Sequence, residues 1–447
     1  MSTESKKQEM IIDWQKRMDQ DEMLNCMRCG FCLPSCPTYE ESGFQESQSP
    51  RGRIALMKGV ADGLIEPDEK VEESLNQCLG CRACEPVCPS GVKYGHLLEE
   101  VRDVVNQNKT HSFPEKVIRR GVFYELFPHQ NRMRMAVGFL GLYQRTGLQK
   151  AVRKTKLLNR LPEPMGTMEK VLPQVPKMRD MKNRPVHYHT ENPQKRVAFF
   201  SGCLMDTMFM STNDATAKLL QKAGCDIVIP ESQACCGALH GHSGEKEKAK
   251  AMAKRNIEAF EELNVDYIVT NAGGCGAFLI DYGHLLKDEP EWTERAETFA
   301  GKLKDMSTVL MELDFPGRGY RLPEQVITYQ DSCHLKNVMH TTTEPRQLIQ
   351  SIQGTEYKEM KDAGRCCGSA GIYNIVESEM SMKILDSKMI NAKAAKAATI
   401  VTTNPGCLLQ MKLGIEREGL SGQVRAVHLA DLLLEAVEYE EKEVSSV

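Results

Sequence analysis

Cys26-Met27-Arg28-Cys29-Gly30-Phe31-Cys32-Leu33-Pro34-Ser35-Cys36-Pro37 sets four cysteines within eleven residues and closes them with a proline. The same spacing, C-x2-C-x2-C-x3-C-P, returns at Cys78, Cys81, Cys84, Cys88 and Pro89. This is the ligand spacing of cubane iron–sulfur clusters, in which the fourth cysteine of each run serves the cluster of the other run. Three thiolates at i, i+3 and i+6 can wrap one side of a small cube. The fourth, beside a proline that turns the chain away, faces elsewhere. The spacing therefore assigns Cys26, Cys29, Cys32 and Cys88 to one [4Fe-4S] cluster, and Cys36, Cys78, Cys81 and Cys84 to a second. Zinc is the first rival, but it normally takes two separated cysteine pairs. A disulfide framework is the other, and an intracellular chain of this length has no need of one.

The 41 residues between the runs exceed the compact bacterial ferredoxin spacing, which points to an all-helical ferredoxin domain over residues 1–107. Ser49-Pro50-Arg51-Gly52-Arg53 lies between the runs and reads as a helix start, with Ser49 as N-cap and Pro50 in the first turn. Ile54, Leu56 and Met57 then supply apolar packing. Arg51 and Arg53 are either cations that offset a thiolate-ligated cluster or a solvated helix start.

The chain has 447 residues, enough for two or three domains. Seventeen cysteines, an odd and clustered set, fit metal ligation in a reducing compartment better than disulfide pairing. A net charge of −4 gives no global case for nucleic acid. The N-terminus shows no signal-peptide pattern. The longest stretch without a charged residue, Ala397–Met411, contains Pro405 and Gly406 and is too short to span a bilayer. A cytoplasmic protein is expected, soluble or peripheral on the inner face of the membrane.

Charge is unevenly placed. Lys109–Arg196 carries 19 Lys/Arg against 6 Asp/Glu, so the remainder is acidic. Residues 108–195 read as a basic connector, helical to about Leu161 and then a linker bearing Pro162, Pro164, Pro173, Pro176, Pro185 and Pro193. Met133–Tyr143 has apolar residues at helical spacing, with Arg132, Arg134 and Arg145 at its ends. It is either a solvated face or a docking surface for an acidic partner or an anionic membrane.

The C-terminal half is an internal repeat. Cys203 matches Cys333, Cys235-Cys236-Gly237 matches Cys366-Cys367-Gly368, and Cys275 matches Cys407, at offsets of 130, 131 and 132 residues. Short β-branched runs precede these landmarks: Arg196–Phe200, Asp226–Pro230 and Tyr267–Thr270 in the first copy, Val326–Tyr329 and Thr399–Thr402 in the second. Alternation with helices predicts two α/β domains with small parallel sheets, residues 196–315 and 316–447. Each cysteine falls just past the carboxyl end of a strand, the edge where open α/β sheets bind ligands. Cys203, Cys235, Cys236, Cys275, Cys333, Cys366, Cys367 and Cys407 are thus candidate ligands for one or two further clusters. The plain alternative is small buried thiols filling a tight glycine turn. Cys225 has no counterpart and reads as core.

Among the histidines, His240, His242, His284, His340 and His428 read as ordinary hydrogen-bonded groups, and His334, next to Cys333, as one that could tune or ligate a cluster. No dinucleotide or phosphate-loop motif and no hydrolytic constellation is present, so no catalytic residue is assigned.

The repeated motif resembles the twin CCG domains of the heterodisulfide reductase family. That resemblance implies a terminal Cys-x-x-Cys able to hold an unusual iron–sulfur cluster. Here Ala272 and Asn404 stand where the first cysteine of that pair would be, which speaks against a heterodisulfide-reducing site. The whole order, dicluster region, basic connector and two CCG domains, together with Ser49–Arg53 and Asn404–Cys407, is similar to the iron–sulfur subunit family of glycolate oxidase. The resemblance implies an electron-transfer subunit inactive on its own. A partner carrying FAD oxidises glycolate, or a related hydroxy acid such as lactate, and electrons leave to a quinone or another acceptor. Subunits of lactate or anaerobic glycerol-3-phosphate dehydrogenases share both modules and remain open. A cluster-based iron or redox sensor would need a nucleic-acid-binding motif, and none is seen.

Overall fold

The computed structural model describes residues 3–155 and 165–445, and its N-terminal region is helical. Helices α1 (Thr3–Arg17), α2 (Gln20–Leu24), α3 (Pro37–Glu41), α4 (Pro50–Ala61), α5 (Glu69–Asn76) and α6 (Tyr94–Asn108) follow in order. The two cysteine runs are the loops between α2 and α3 and between α5 and α6. Local chemistry sets the helix starts. Ser49 Oγ accepts the Gly52 N–H at 2.9 Å with Pro50 in the first turn of α4, and Pro37 opens α3 directly after Cys36. Trp14, Met57, Val60, Leu97 and Val101 pack between the helices, each burial contributing about 1.5–3 kcal/mol.

The connector contains α7 (Phe113–Arg119), a π-helical stretch (Arg120–Leu126), α8 (Gln130–Arg145) and α9 (Leu148–Lys154). Its expected continuation to Leu161 lies outside the described residues. The proline-bearing stretch is not featureless: it holds the short helices Met165–Lys170 and Met178–Lys182 and a two-residue strand, β1 (His187–Tyr188).

Two sheets follow. β1, β2 (Lys195–Phe199), β3 (Cys225–Val228), β4 (Tyr267–Thr270) and β5 (Leu303–Asp305) are ordered β1-β3-β2-β4-β5. β6 (Arg321–Tyr329), β7 (Gln353–Tyr357), β8 (Thr399–Thr402) and β9 (Arg425–His428) are ordered β7-β6-β8-β9. Strand for strand, β3-β2-β4-β5 repeats as β7-β6-β8-β9, with every pair parallel. The expectation of parallel sheets needs one amendment. β1 pairs antiparallel with β3, so the first sheet is mixed at that edge. Two residues are too few to show alternation, which is why the sequence reads them as linker.

The copies share one core. The helix Met210–Lys222 packs on the C-terminal helix Leu429–Ser445, and Leu219, Leu220 and Phe199 from one copy meet Leu348, Leu432 and Leu433 from the other. Thr212 Oγ1 donates to Asp431 at 2.9 Å, and His428 Nε2 donates to the Asn271 carbonyl at 2.9 Å. The helix Gly273–Ile280 lies against the helix Cys333–Asn337. A Cβ at Gly273 would come within 2.8 Å of Leu335 Cβ, so this close approach requires glycine.

The N-terminal region is seated on both copies. On the first, Arg82 pairs with Asp281, His242 Nδ1 meets Glu99 at 2.8 Å, and His96 stacks on His284 at 3.6 Å between ring centroids. On the second, Arg365 pairs with Glu40 at 2.6 Å and Tyr373 Oη donates to the Gln77 carbonyl at 2.9 Å. Burial, then His96 and Lys287, pull the His284 pKa down to about 4, against weaker opposition from Asp281 and Glu99. A depressed histidine stabilises the docked state fully above its free value near 6.5 and loses that contribution as pH falls toward 4. Allowing for its partial exposure, about 1–2 kcal/mol should be lost over this window. Denaturant midpoints measured at pH 7 and pH 5 should therefore converge in His284→Gln relative to the parent chain; an unchanged difference would remove His284 from the account.

Candidate functional site

The two N-terminal runs adopt one backbone. Arg28 and Gly80, at matched positions, have φ of +55° and +63°; Gly30 and Arg82 have +89° and +57°. Leu33 N–H donates to the Gly30 carbonyl at 2.9 Å, as Glu85 N–H does to Arg82 at 3.1 Å. A left-handed arginine costs about 1–2 kcal/mol, and such strain persists where a ligand clamp needs it.

The eight cysteines are unequally buried. Cys29 is exposed; Cys26, Cys32, Cys81 and Cys88 are half-buried; Cys36, Cys78 and Cys84 are buried. Cys26, Cys32 and Cys88 lie against the same apolar core. Burial, and next the nearby Cys333, Cys78 and Cys36, push the Cys81 thiol well up. Burial together with Cys81, Cys78 and Cys36 does the same to Cys84. Cys36 thus sits within electrostatic reach of the second run. Cys78 differs: although burial would raise it, Arg53 and Arg102 hold its thiol below the usual value, and Gly80 N–H and Tyr94 Oη point at its sulfur from 3.4 and 3.5 Å.

Arg51 and Arg53 part company. Arg51 pairs with Glu46 at 2.7 Å near the surface. Arg53 is fully buried and donates to the Ser74 carbonyl (2.7 Å), Thr38 Oγ1 (3.1 Å) and Gln48 Oε1 (2.6 Å), all neutral. The groups that favour its charge are the Cys78 thiol first, then the Tyr94 hydroxyl and the Cys36 thiol. A buried cation without a carboxylate suits a thiolate-ligated, anionic cluster at this spot.

Each C-terminal copy brings its four thiols together at the carboxyl edge of its sheet. In the first, Cys203 and Cys235 sulfurs are 3.4 Å apart, Cys235 touches Cys236, and Cys236 touches Cys275. The second repeats the series as Cys333, Cys366, Cys367 and Cys407. Topology accounts for this. The strand before Cys203 (β2) and the strand before Cys275 (β4) are neighbours from which the chain departs in opposite directions, and such a switch point leaves a crevice. Gly237 and Gly368 both have φ of +89°, the left-handed turn that lets adjacent cysteines face one rim. Cys225 lies in the shared core, where burial takes its thiol to about 12.

The copies differ around the thiols. In the second, Lys388 is buried and donates to the carbonyls of Asp362 (2.5 Å) and Ala363 (3.4 Å). Burial lowers its pKa to about 8, opposed chiefly by Cys367 and Cys366. At the position 132 residues earlier stands the neutral Asn256, which donates to the Cys235 carbonyl at 3.0 Å. At the two positions where the CCG resemblance implies a further cysteine, Ala272 is buried and apolar, whereas Asn404 Nδ2 donates to Cys407 Sγ at 3.6 Å and its Oδ1 accepts the Gly274 N–H at 3.0 Å.

The second N-terminal run abuts the second copy. His334 Nε2 donates to the Gly80 carbonyl and Asn337 Nδ2 to the Cys81 carbonyl, each at 2.9 Å, while Leu79, Cys81, Cys333 and Cys366 share one apolar cluster. His240 donates to the Phe123 carbonyl at 2.8 Å. His240, His242, His284 and His334 therefore fasten the modules together, a role their sequence neighbourhoods do not show; His340 is exposed. Arg102, Lys388, Tyr94 and Tyr373 also escape a sequence reading, since no spacing motif ties them to the thiols. Outside these centres, His187, His189 and Asp226 cluster by a cavity of about 520 Å³. Arg196, 3.7 Å from Asp226, already supplies a cation there.

Converging thiols beside buried cations that lack carboxylates fit iron–sulfur clusters in the N-terminal region and in the second copy; the first copy fits on its thiols alone. Removing the cation of Lys388→Met should move the reduction potential of the second-copy signal to more negative values, because a positive charge favours the more negative reduced state. Redox titration followed by electron paramagnetic resonance measures it, and an unmoved potential would separate Lys388 from the centre.

Comparison with known proteins supports iron–sulfur cofactors. The family model of the 4Fe-4S dicluster domain matches residues 22–92, and the cysteine-rich domain model matches 197–280 and again 327–412. A model described as the linker region of the glycolate oxidase iron–sulfur subunit matches 114–172. The chain is 70% identical over 438 residues to a probable glycolate oxidase iron–sulfur subunit of Bacillus subtilis (strain 168), covering 98% of this chain and 99% of that protein. It is 31% identical over 429 residues to the glycolate oxidase iron–sulfur subunit of Escherichia coli (strain K12), covering 95% and 97%. A lactate utilization protein A of an Exiguobacterium strain is 31% identical over 242 residues, 54% of this chain and 98% of that protein.

Proposed function

The chain belongs to the family of glycolate oxidase iron–sulfur subunits, and from that premise we propose that it transfers electrons from a flavoprotein subunit oxidising a 2-hydroxy acid, glycolate first, to a quinone or comparable acceptor. The observation that carries this reading is the contiguity of its thiol sets. The exposed end at Cys29 leads to the buried Cys36, Cys78 and Cys84 and the half-buried Cys81, which adjoins Cys333 and Cys366 of the second copy.

In this reading Cys26, Cys29, Cys32 and Cys88 hold one [4Fe-4S] cluster and Cys36, Cys78, Cys81 and Cys84 the other. The second-copy thiols hold a further cluster, and the first-copy thiols are candidates for one more. A bound cluster supplies one-electron transfer, which suits a flavin that has collected two electrons. The residues of this chain supply the rest. Arg53 and Lys388 place fixed positive charge beside their thiol sets, Gly80 N–H and Tyr94 Oη hydrogen-bond the Cys78 sulfur, and His334 and Asn337 hold the second run against the second copy. The likeness to lactate utilization protein A favours, as a second reading, a partner that acts on lactate.

Met27, Phe31 and Phe44 are each about two-thirds exposed, and Met27 and Phe31 flank Cys29 in sequence. Apolar side chains beside the one exposed ligand candidate of the N-terminal runs suit docking of the flavoprotein subunit. Phe31→Glu should weaken that association roughly tenfold or more, read by co-purification, while iron content stays unchanged. The decisive experiment is anaerobic purification of the chain alone. Iron and sulfide should be present and hydroxy-acid dehydrogenase turnover absent until the flavoprotein subunit is added; a colourless, iron-free protein or vigorous turnover by the lone chain would overturn the proposal.

A further inference from the structure

Helix α8 has two apolar faces, and the fold uses one. Met133, Val137 and Gly141 are buried, with Val137 against Val175 and Met181. On the opposite face Arg132, Met135, Ala136, Phe139, Leu142 and Arg145 are all exposed, Phe139 by 71%. Their spacing of three and four residues makes them one stripe, apolar along its length with an arginine at each end. The neighbouring helices continue the character: Phe113, Val117 and Ile118 of α7 and Leu148 of α9 are also exposed.

From this surface we infer that the connector is a lipid-docking element that lays α8 in the headgroup region of an anionic membrane. Charge complementarity selects the occupant. Residues 113–154 carry nine Lys/Arg against two Asp/Glu, in a chain whose net charge is −4. Lys116, Arg120, Lys150 and Lys154 have no carboxylate partner among the described residues. A rim of lysines around large apolar side chains is the pattern of an interfacial helix, whereas protein interfaces are depleted in lysine. The apolar cluster beneath α8 is made of Val137, Val175, Met181 and their neighbours and contains no cysteine, so this face is not built for exchange with a redox subunit. No helix among the described residues is long and apolar enough to cross a bilayer, so contact is peripheral. The inference stands on the surface alone and does not depend on the electron-carrier reading.

The test is flotation of the full chain, purified anaerobically with its iron, on vesicles of phosphatidylglycerol with phosphatidylcholine and on phosphatidylcholine alone. The parent chain should float with the anionic vesicles at low salt, and lose most binding at high salt or on neutral vesicles. Phe139→Asp with Leu142→Asp should lower the apparent affinity roughly tenfold or more, with iron content and paramagnetic signals unchanged. Lys150→Glu with Lys154→Glu, changes at exposed positions that leave packing intact, should weaken binding to anionic vesicles only. Absence of flotation on anionic vesicles at low salt overturns the inference, as does full binding by both double variants. So does loss of flavoprotein co-purification in Phe139→Asp/Leu142→Asp with vesicle binding retained, which would assign the stripe to that subunit.

Discussion

A guanidinium removed from water must find negative charge, and Arg53 places that demand at the centre of the N-terminal region. Its three partners are neutral oxygens, so without an anion the burial would cost several kcal/mol. The thiols of Cys78 and Cys36 answer it from two loops far apart in sequence. Helix α4 exists to bring the guanidinium there: Ser49 caps it, Pro50 starts it, and Ile54 and Met57 anchor it. The second copy repeats the device with Lys388, an ammonium held among carbonyls beside Cys366 and Cys367.

The repeat is a repeat of topology before it is one of chemistry. Each copy splits its chain on both sides of its first strand, so its thiols meet at the carboxyl edge. The repeat supplies two such edges, and they are unequal. Lys388 faces one and Asn256 the other; Asn404 hydrogen-bonds sulfur where Ala272 offers only methyl. The copy with the buried ammonium is also the one against which the second cysteine run is seated.

Docking of the modules explains residues that a local reading leaves idle. Four histidines near the C-terminal thiols serve mainly as fasteners, giving N–H groups to carbonyls or a carboxylate or stacking across the interface. Holding Cys81 beside Cys333 brings two thiol sets into one apolar cluster, which suits the proposed passage of single electrons. The wide exposure around Cys29 at the other end leaves that path open to a partner.

Short-range spacing was legible from the chain alone. The cysteine runs, the Ser49-Pro50 helix start, the doubled CCG landmarks and the strands before them are patterns within a few residues of one another, and the structure keeps them. The edge strand β1, the π-helical stretch and the strands β5, β7 and β9 were not, because two to seven residues with mixed polarity carry no period. Nor could sequence separate Arg51 from Arg53, two residues apart on one helix: one reaches Glu46 at the surface and the other enters the core. The candidate ligand sets are thus a matter of local covalent spacing, which sequence states outright. Which cations, amides and histidines surround each ligand set depends on contacts between segments tens to hundreds of residues apart, and only the folded chain brings those into range.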